Sequence, residues 1–304
     1  MSIRTLRRVA WPAVLSAAVL GLAACGDGND ATTTAAKPSA ATRTTATINE
    51  DVAALVPAKV KAKGTLTVAA DATYAPNEFI GSDGKTVEGT DADLASALAT
   101  VMGLTAKVVN ASFDSIIPSL EGHKYDLGMS SFTDTKEREK VVDFVTYFSA
   151  GTSFFTQADG GPDVTTLADL CGEKVSVEKG TTQADDATAQ AKKCAAGQKA
   201  TVLVFPDQNA ANLALSSGRA TVGMADTPVA AYQVKQSQGQ FKLSGESYGT
   251  APYGIAIPKD TDLEQAVLAG VKELMKDGTY LAILRKWGIE TGAIDNPTIN
   301  GATS

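Results

Sequence analysis

The sequence predicts an α/β fold built as two lobes. From Thr65 onward short apolar strands alternate with amphipathic helices, which implies a parallel sheet covered by helices. The same rhythm restarts at Lys174, after the extended stretch Thr146 to Phe155. At 304 residues the chain is long enough for one large domain or two moderate ones.

In the first series, Thr65 to Ala70 (TLTVAA) reads as a buried strand. Asp91 to Met102 reads as a helix, because Leu94, Ala97, Leu98, Val101 and Met102 share one face. Asp91 is placed to cap it and Gly103 to stop it. Ala106 to Val109 is a short strand, Phe113 to Leu120 a short helix, and Asp126 to Ser130 a further strand. In the second series, strands over Lys174–Val177, Thr201–Phe205 and Thr221–Met224 alternate with helices. These helices cover Thr181–Lys193, Asn209–Ser217 and the residues from Pro228. A strand over Tyr253–Ile257 precedes two tail helices between Leu263 and Trp287, broken at Gly278. The rhythm does not say which lobe the tail joins.

The N-terminus carries an address. Arg4, Arg7 and Arg8 precede a mostly Ala, Val and Leu stretch from Val9 to Leu22, the pattern of a secretory signal over residues 1–24. Leu22-Ala23-Ala24-Cys25 resembles a bacterial lipobox, which implies that Cys25 is lipidated and holds an exported chain at a membrane. The apolar run is too short to span a bilayer. Residues 25–54 are rich in Ala, Thr, Ser and Asp with no large apolar cluster, so a disordered tether is expected there.

Net charge is −7. Removing the signal removes three Arg and no acid, so the remainder stands at −10. An acidic chain is a poor partner for nucleic acid. Cys171 and Cys194 remain as an even pair, expected to form a disulfide in an oxidising compartment; two free buried thiols are the alternative. No metal site is expected, since His123 is the only His.

Several segments, taken in order, resemble the family 3 extracellular solute-binding proteins, the polar amino-acid receptors of ABC importers. They are Asp71-Ala-Thr-Tyr74-Ala-Pro76, Gly89-Thr-Asp91-Ala-Asp93-Leu94, Ile116-Ile-Pro118-Ser-Leu120 and Tyr125-Asp126-Leu-Gly-Met-Ser130-Ser131-Phe-Thr133. Lys136-Glu-Arg138, Val142-Asp143-Phe144, Gly180-Thr-Thr182-Gln183, Asp226-Thr-Pro228, Tyr253-Gly254-Ile255, Gly278-Thr-Tyr280 and Lys286-Trp287 follow. The resemblance implies a periplasmic-binding-protein-like fold, with two lobes joined by a two-segment hinge near Tyr147–Thr152 and Glu246–Ala251. It places residues 55–149 with 251–292 in the first lobe, 150–250 in the second, and leaves 293–304 as a flexible tail.

The resemblance also implies a ligand set. Arg138 stands where the family keeps a carboxylate-binding Arg, whose fork suits two oxygens; a surface pair with Glu137 or Glu139 is the alternative. Asp226 stands where the α-ammonium is received, or caps the next helix. Thr182, at a helix start, offers a hydroxyl and backbone N–H groups to an anion, or is an N-cap. Ser130, Ser131 and Thr133 are expected to give backbone and hydroxyl contacts. Tyr74 and Phe113 match positions that sandwich the ligand side chain, or serve as core. Asp71 and Glu178 line the far end, and two acids suit a cationic tail; Glu178 pairing with Lys179 or Lys174 is the alternative. Asn77 and Asp134 replace residues often apolar in relatives, which leaves room for another polar ligand.

The expected function is therefore a lipid-anchored, monomeric receptor without cofactor that delivers an amino acid to a permease with ATPase subunits. Two other classes stay open. Dehydratases acting on carboxylated rings share the fold, with Glu178 or Asp71 as the acid–base group. A sensory input module is the other.

Overall fold

A computed structural model describes residues 46–303. The expected signal peptide, Cys25 and most of the expected tether lie outside the described residues. The chain opens with two short helices, α1 (Glu50–Leu55) and α2 (Ala58–Lys63), then strand β1 (Thr65–Ala70). A small three-stranded sheet follows from β2 (Thr73–Tyr74), β3 (Glu78–Ile80) and β4 (Val87–Glu88). Helix α3 (Thr90–Val101), β5 (Thr105–Asn110), α4 (Phe113–Glu121) and β6 (Leu127–Gly128) complete the first series. The long strand β7 (Val142–Gln157) leads to β8 (Lys174–Glu178), α5 (Thr182–Lys193), β9 (Thr201–Phe205), α6 (Gln208–Ser216), β10 (Val222–Asp226) and α7 (Thr227–Gln236). A second long strand, β11 (Phe241–Pro258), precedes α8 (Glu264–Lys276) and α9 (Thr279–Trp287).

The main sheet has eight strands in the order β5-β1-β6-β11-β7-β10-β8-β9. The two outer groups, β5-β1-β6 and β10-β8-β9, are each parallel, as the alternating rhythm predicts. Between them β7 and β11 pair antiparallel, from Val142↔Pro258 at one end to Gln157↔Phe241 at the other. Their register shifts between Ser244 and Tyr248 and again between Tyr248 and Ala251. These irregularities fall in the stretch where the resemblance puts the second crossing. Helices α8 and α9 pack on α3, with Val267, Val271, Leu274, Tyr280 and Leu284 joined to Leu94 and Leu98 in one buried cluster. The second group keeps its own core of Phe154, Leu170, Val175, Val177 and Val222.

Three expectations change. The tether does not extend to residue 54. Asn49 caps α1, accepting from the N–H of Asp51 and Val52, and Val52 and Val56 are buried against α8. Burying each valine contributes about 1.5 kcal/mol, enough to dock a helix too short to stand alone. The C-terminal residues are not a free tail: Ile299 bridges to Val145, and the Thr146 N–H donates to Thr298 O at 2.9 Å. Asp91 does not cap α3; Gly89 holds the cap position, and the Asp91 carboxylate is buried, accepting from Tyr147 Oη at 2.7 Å and Ser131 N at 2.9 Å.

Cys171 and Cys194 form a disulfide with Cα atoms 5.5 Å apart, tying the approach to β8 to the end of α5. Its two cysteines are 23 positions apart, so the cross-link should contribute about 3 kcal/mol by restricting the unfolded chain. A Cys171→Ser/Cys194→Ser variant is expected to unfold at clearly lower temperature than the oxidised protein. Thermal unfolding with and without reductant checks this, and an unchanged midpoint would show that the bridge restrains nothing.

Candidate functional site

The candidate residues converge because each follows the carboxyl end of a strand, where parallel sheets open toward ligands. Asp71 follows β1, Ser130 to Arg138 follow β6, Glu178 ends β8 and Asp226 ends β10. The two groups face each other and touch. Lys179 pairs with Asp114 at 2.7 Å, Arg138 Nη2 donates to Gly180 O at 2.9 Å, and Gln208 N donates to Thr73 Oγ1 at 3.2 Å. Gly180 has φ +81°, and a Cβ there would lie 3.0 Å from Asp114 Cβ, so a side chain would hold the groups apart.

Arg138 is the link between the two sides. Its Nη1 donates to Thr133 O at 2.8 Å, and its guanidinium lies 5.5 Å from the Phe113 ring centre and 5.6 Å from that of Phe132. Two of its five N–H donors are thereby used. Glu139 pairs with Lys136, and Glu137 with Lys140, so neither acid engages Arg138. Phe113 stacks on Phe132 at 4.6 Å and on Tyr74 at 5.8 Å. Tyr74 reaches from the first group into an apolar cluster with Phe155, Leu215 and Val229 of the second. A planar group inserted between Tyr74 and Phe113 needs ring separation of about 7 Å, twice the contact distance.

A cavity of about 290 Å³ is lined by Thr133 from one side and by Thr182, Asp185, Asp186 and Asp226 from the other, with Tyr248 at the crossing. Thr181, not Thr182, caps α5: its Oγ1 accepts from Ala184 N at 3.1 Å. Asp226 occupies the cap position of α7 but makes no cap bond. Its Oδ1 instead accepts from Gln183 Nε2 at 2.8 Å, and burial pushes its carboxyl up to about 6.

Beyond Tyr74 lies the acidic end. Asp71 is buried, with Oδ1 accepting from Thr73 at 2.7 Å and Oδ2 from Phe113 N at 2.9 Å. Glu178 is 1% exposed, and its polar neighbours are the Asp71 carboxyl and the Tyr74 hydroxyl, neither in full hydrogen-bond geometry with its oxygens. Burial first, and the nearby charges of Asp71 and Asp207 after it, push Glu178 up to about 9. Among the described residues no lysine or arginine pairs with these acids. Lys179 is committed to Asp114 and leaves Glu178 unpaired.

Two hydroxyls expected to face the ligand are engaged within the first group. Ser130 Oγ donates to Glu78 at 2.9 Å and accepts from Asp71 N, so its hydroxyl is spent inside the first group. Ser131, in the left-handed region at φ +52°, accepts from Asn77 Nδ2 at 2.8 Å. Asn77 holds Ser131, and Asp134 accepts from Gly301 N at 2.8 Å. Two contributors were missed. Gln183, part of the Gly180-Thr-Thr182-Gln183 segment but given no ligand role there, donates from Nε2 to Thr152 Oγ1 and Asp226 Oδ1, each at 2.8 Å. Asp207 caps α6, its side chain accepting from Ala210 N at 2.8 Å, and adds a third acid beside Asp71 and Glu178; an acid just before a helical stretch is the signal that could have found it.

Comparison with known proteins identifies the family. The family model of bacterial extracellular solute-binding proteins, family 3, matches residues 66–290. An arginine-binding protein of Corynebacterium glutamicum is 34% identical over 253 residues, covering 82% of this chain and 83% of its own. An L-cystine-binding protein of Escherichia coli is 30% identical over 231 residues, covering 75% and 84%. Among solved structures, an ancestral arginine-binding protein bound to arginine superposes with a TM-score of 0.69 at 35% identity, covering 74% of this chain and 98% of that one. An ancestral amino acid-binding protein described as a precursor of cyclohexadienyl dehydratase gives 0.68 at 35% identity, covering 75% and 97%. The chain belongs to the family 3 extracellular solute-binding proteins.

The raised Glu178 carboxyl has a definite sign. The folded protein holds this proton more tightly than the unfolded chain, so its stabilising contribution is full below about 4.5 and is lost as pH rises toward about 9. Ligand-free protein should lose stability across that window, and Glu178→Gln should flatten the loss. Chemical unfolding at pH 6, 7.5 and 9 checks this; parallel profiles for the two proteins would remove the assignment.

Proposed function

We propose that this chain is the substrate-binding component of an ABC importer and captures a cationic amino acid, arginine or lysine, between its lobes. One observation carries the reading: Glu178 is buried beside Asp71 and Asp207 with no lysine or arginine paired to these acids among the described residues, and such a cluster calls for a cation. The remaining chemistry suits the other end of an amino acid. Arg138 has donors left for a carboxylate, Thr182 supplies a hydroxyl, and Asp226 receives the α-ammonium. Tyr74 and Phe113 part to take the side chain between their faces. The arginine-binding relative supports the choice of ligand, and the cystine-binding one makes cystine a necessary competitor in any panel.

The mechanism contains no covalent step and needs no cofactor. Ligand enters with the lobes apart, and β7 and β11 flex where their pairing is irregular. Ligand favours the closed state only by its extra contacts there, with Glu178, Thr182 and Asp226. The closed form then docks, as a monomer, on a permease whose ATPase subunits drive import. The sequence Leu22-Ala23-Ala24-Cys25 supports a lipid on Cys25 that keeps the receptor beside that permease.

A second reading is favoured by one feature. A carboxyl neutral at neutral pH can give a proton to a leaving group, and one structural neighbour is described as a dehydratase precursor. Turnover of a carboxylated cyclohexadienyl ring would favour it over transport.

Calorimetry with arginine, lysine, ornithine, histidine, glutamine and cystine should show tight binding of arginine or lysine. Glutamine or cystine binding tightly while the cations fail would overturn the ligand class. Arg138→Ala strands a buried carboxylate and should weaken binding by at least a hundredfold, about 3–5 kcal/mol. Cation binding displaces the Glu178 proton, so wild-type affinity should rise up to tenfold per pH unit between pH 6 and 9, and Glu178→Gln should lose that slope.

A further inference from the structure

The C-terminal segment Thr298–Ala302 makes two kinds of contact. The first half of β7 is paired to β11 on one side only, and the segment covers its other edge. Thr146 N donates to Thr298 O, Thr298 N to Thr146 Oγ1, Asn300 N to Phe144 O, and Phe144 N to Asn300 Oδ1, each at 2.9 Å. Protecting an open strand edge explains these bonds. It does not explain the next two. Beyond the strand, Gly301 N donates to Asp134 Oδ2 at 2.8 Å and Ala302 N to Glu139 Oε1 at 3.1 Å.

Those two carboxylates bracket the turn that carries Arg138. Within the turn, Glu139 N donates to Thr135 O at 2.9 Å and Arg138 N to Thr135 Oγ1 at 3.2 Å. Asp134 N is tied to Pro252 O at 2.9 Å. Asp134 is buried, and the Gly301 N–H is the backbone donor its carboxylate accepts from, with the Glu139 carboxyl as its side-chain neighbour. Gly301 suits this path: a Cβ there would lie 2.7 Å from Thr298 Oγ1 and 2.8 Å from Thr146 Cγ2. We infer that Thr298–Ala302 is a strap that positions the Arg138 guanidinium for the ligand carboxylate by holding Asp134 and Glu139 on either side of it. The inference rests on the ligand role proposed for Arg138, and the strap residues touch no ligand themselves.

The test uses a chain ending at Asn296, together with Gly301→Val, Asp134→Ala and Asp134→Asn, and L-arginine as probe. Truncation, Gly301→Val and Asp134→Ala should each weaken L-arginine binding tenfold or more, mostly through faster dissociation. Asp134→Asn keeps an acceptor oxygen and should retain wild-type affinity. In an Arg138→Lys background the truncation should cost less than twofold, because the group it positions is gone. Hydrogen exchange of residues 133–140 in ligand-free protein should rise in the three disruptive variants. Wild-type exchange there, or an equal affinity loss in the Arg138→Lys background, would overturn the strap. If the truncated chain does not fold, Gly301→Val and Asp134→Ala decide. If wild-type protein fails to bind L-arginine, the ligand reading falls, and the exchange measurement alone decides the strap.

Discussion

The antiparallel pairing of β7 with β11 is the constraint on which the rest depends. These two strands lie in the middle of the eight-stranded sheet, and each parallel group is attached to one of them. β6 pairs with β11 near Ala256, and β10 pairs with β7 between Thr152 and Thr156. The chain therefore crosses between the groups twice, on adjacent strands, and the strand ends that carry Asp71, Arg138, Glu178 and Asp226 are brought face to face. A single crossing would leave that orientation free to twist. Register irregularities at Tyr248 concentrate the weakest ladder bonds where the two groups meet, so bending is cheapest there.

The electrostatics of the site follow from what this closure buries. Arg138 spans the two sides through carbonyl oxygens, Thr133 O and Gly180 O, and among the described residues it forms no salt bridge, Asp226 being the acid that attracts it most. On the far side of Tyr74, Asp71 and Glu178 are enclosed without a cation. Among the described residues no salt bridge reaches either end, and the stacked Tyr74, Phe113 and Phe132 lie between Arg138 and the Asp71–Glu178 pair. A zwitterion with a cationic tail matches this spacing in sign from end to end. The same burial that raises Glu178 and Asp226 in the ligand-free protein is what makes a positive ligand able to lower them.

Much of the architecture could be read along the chain because it is local. The strands Thr65–Ala70 and Thr201–Phe205 appear with the expected bounds, and α3 and α4 agree within a residue at each end. Strand alternation and 3.6-residue spacing are properties of neighbours in sequence, and they survive folding where each element has one buried face. What escaped was short or depended on distant partners. Helix α1 has too few residues to show a pattern, though Val52, Val56 and Val60 repeat every fourth position across Pro57. The C-terminal segment looks polar and featureless, yet its backbone finds the open edge of β7.

At the site the division is sharper. The family resemblance, carried by short segments in a fixed order, put Arg138, Asp226, Tyr74, Phe113, Asp71 and Glu178 among the candidates; charge and aromatic character belong to each residue, but their roles came from that order. Which polar groups are free was decided only in three dimensions. Ser130 and Ser131 turn to Glu78 and Asn77, Lys179 turns to Asp114, and Glu178 is left alone with Asp71 and Asp207 close by. Hydrogen-bond partners more than forty residues apart cannot be counted along a chain, since they exist only once the strands have set the distances. The sequence by itself determined a two-series α/β protein with the chemistry of an ionic ligand; the tertiary structure decided which of those charges remain unsatisfied, and so what the ligand must supply.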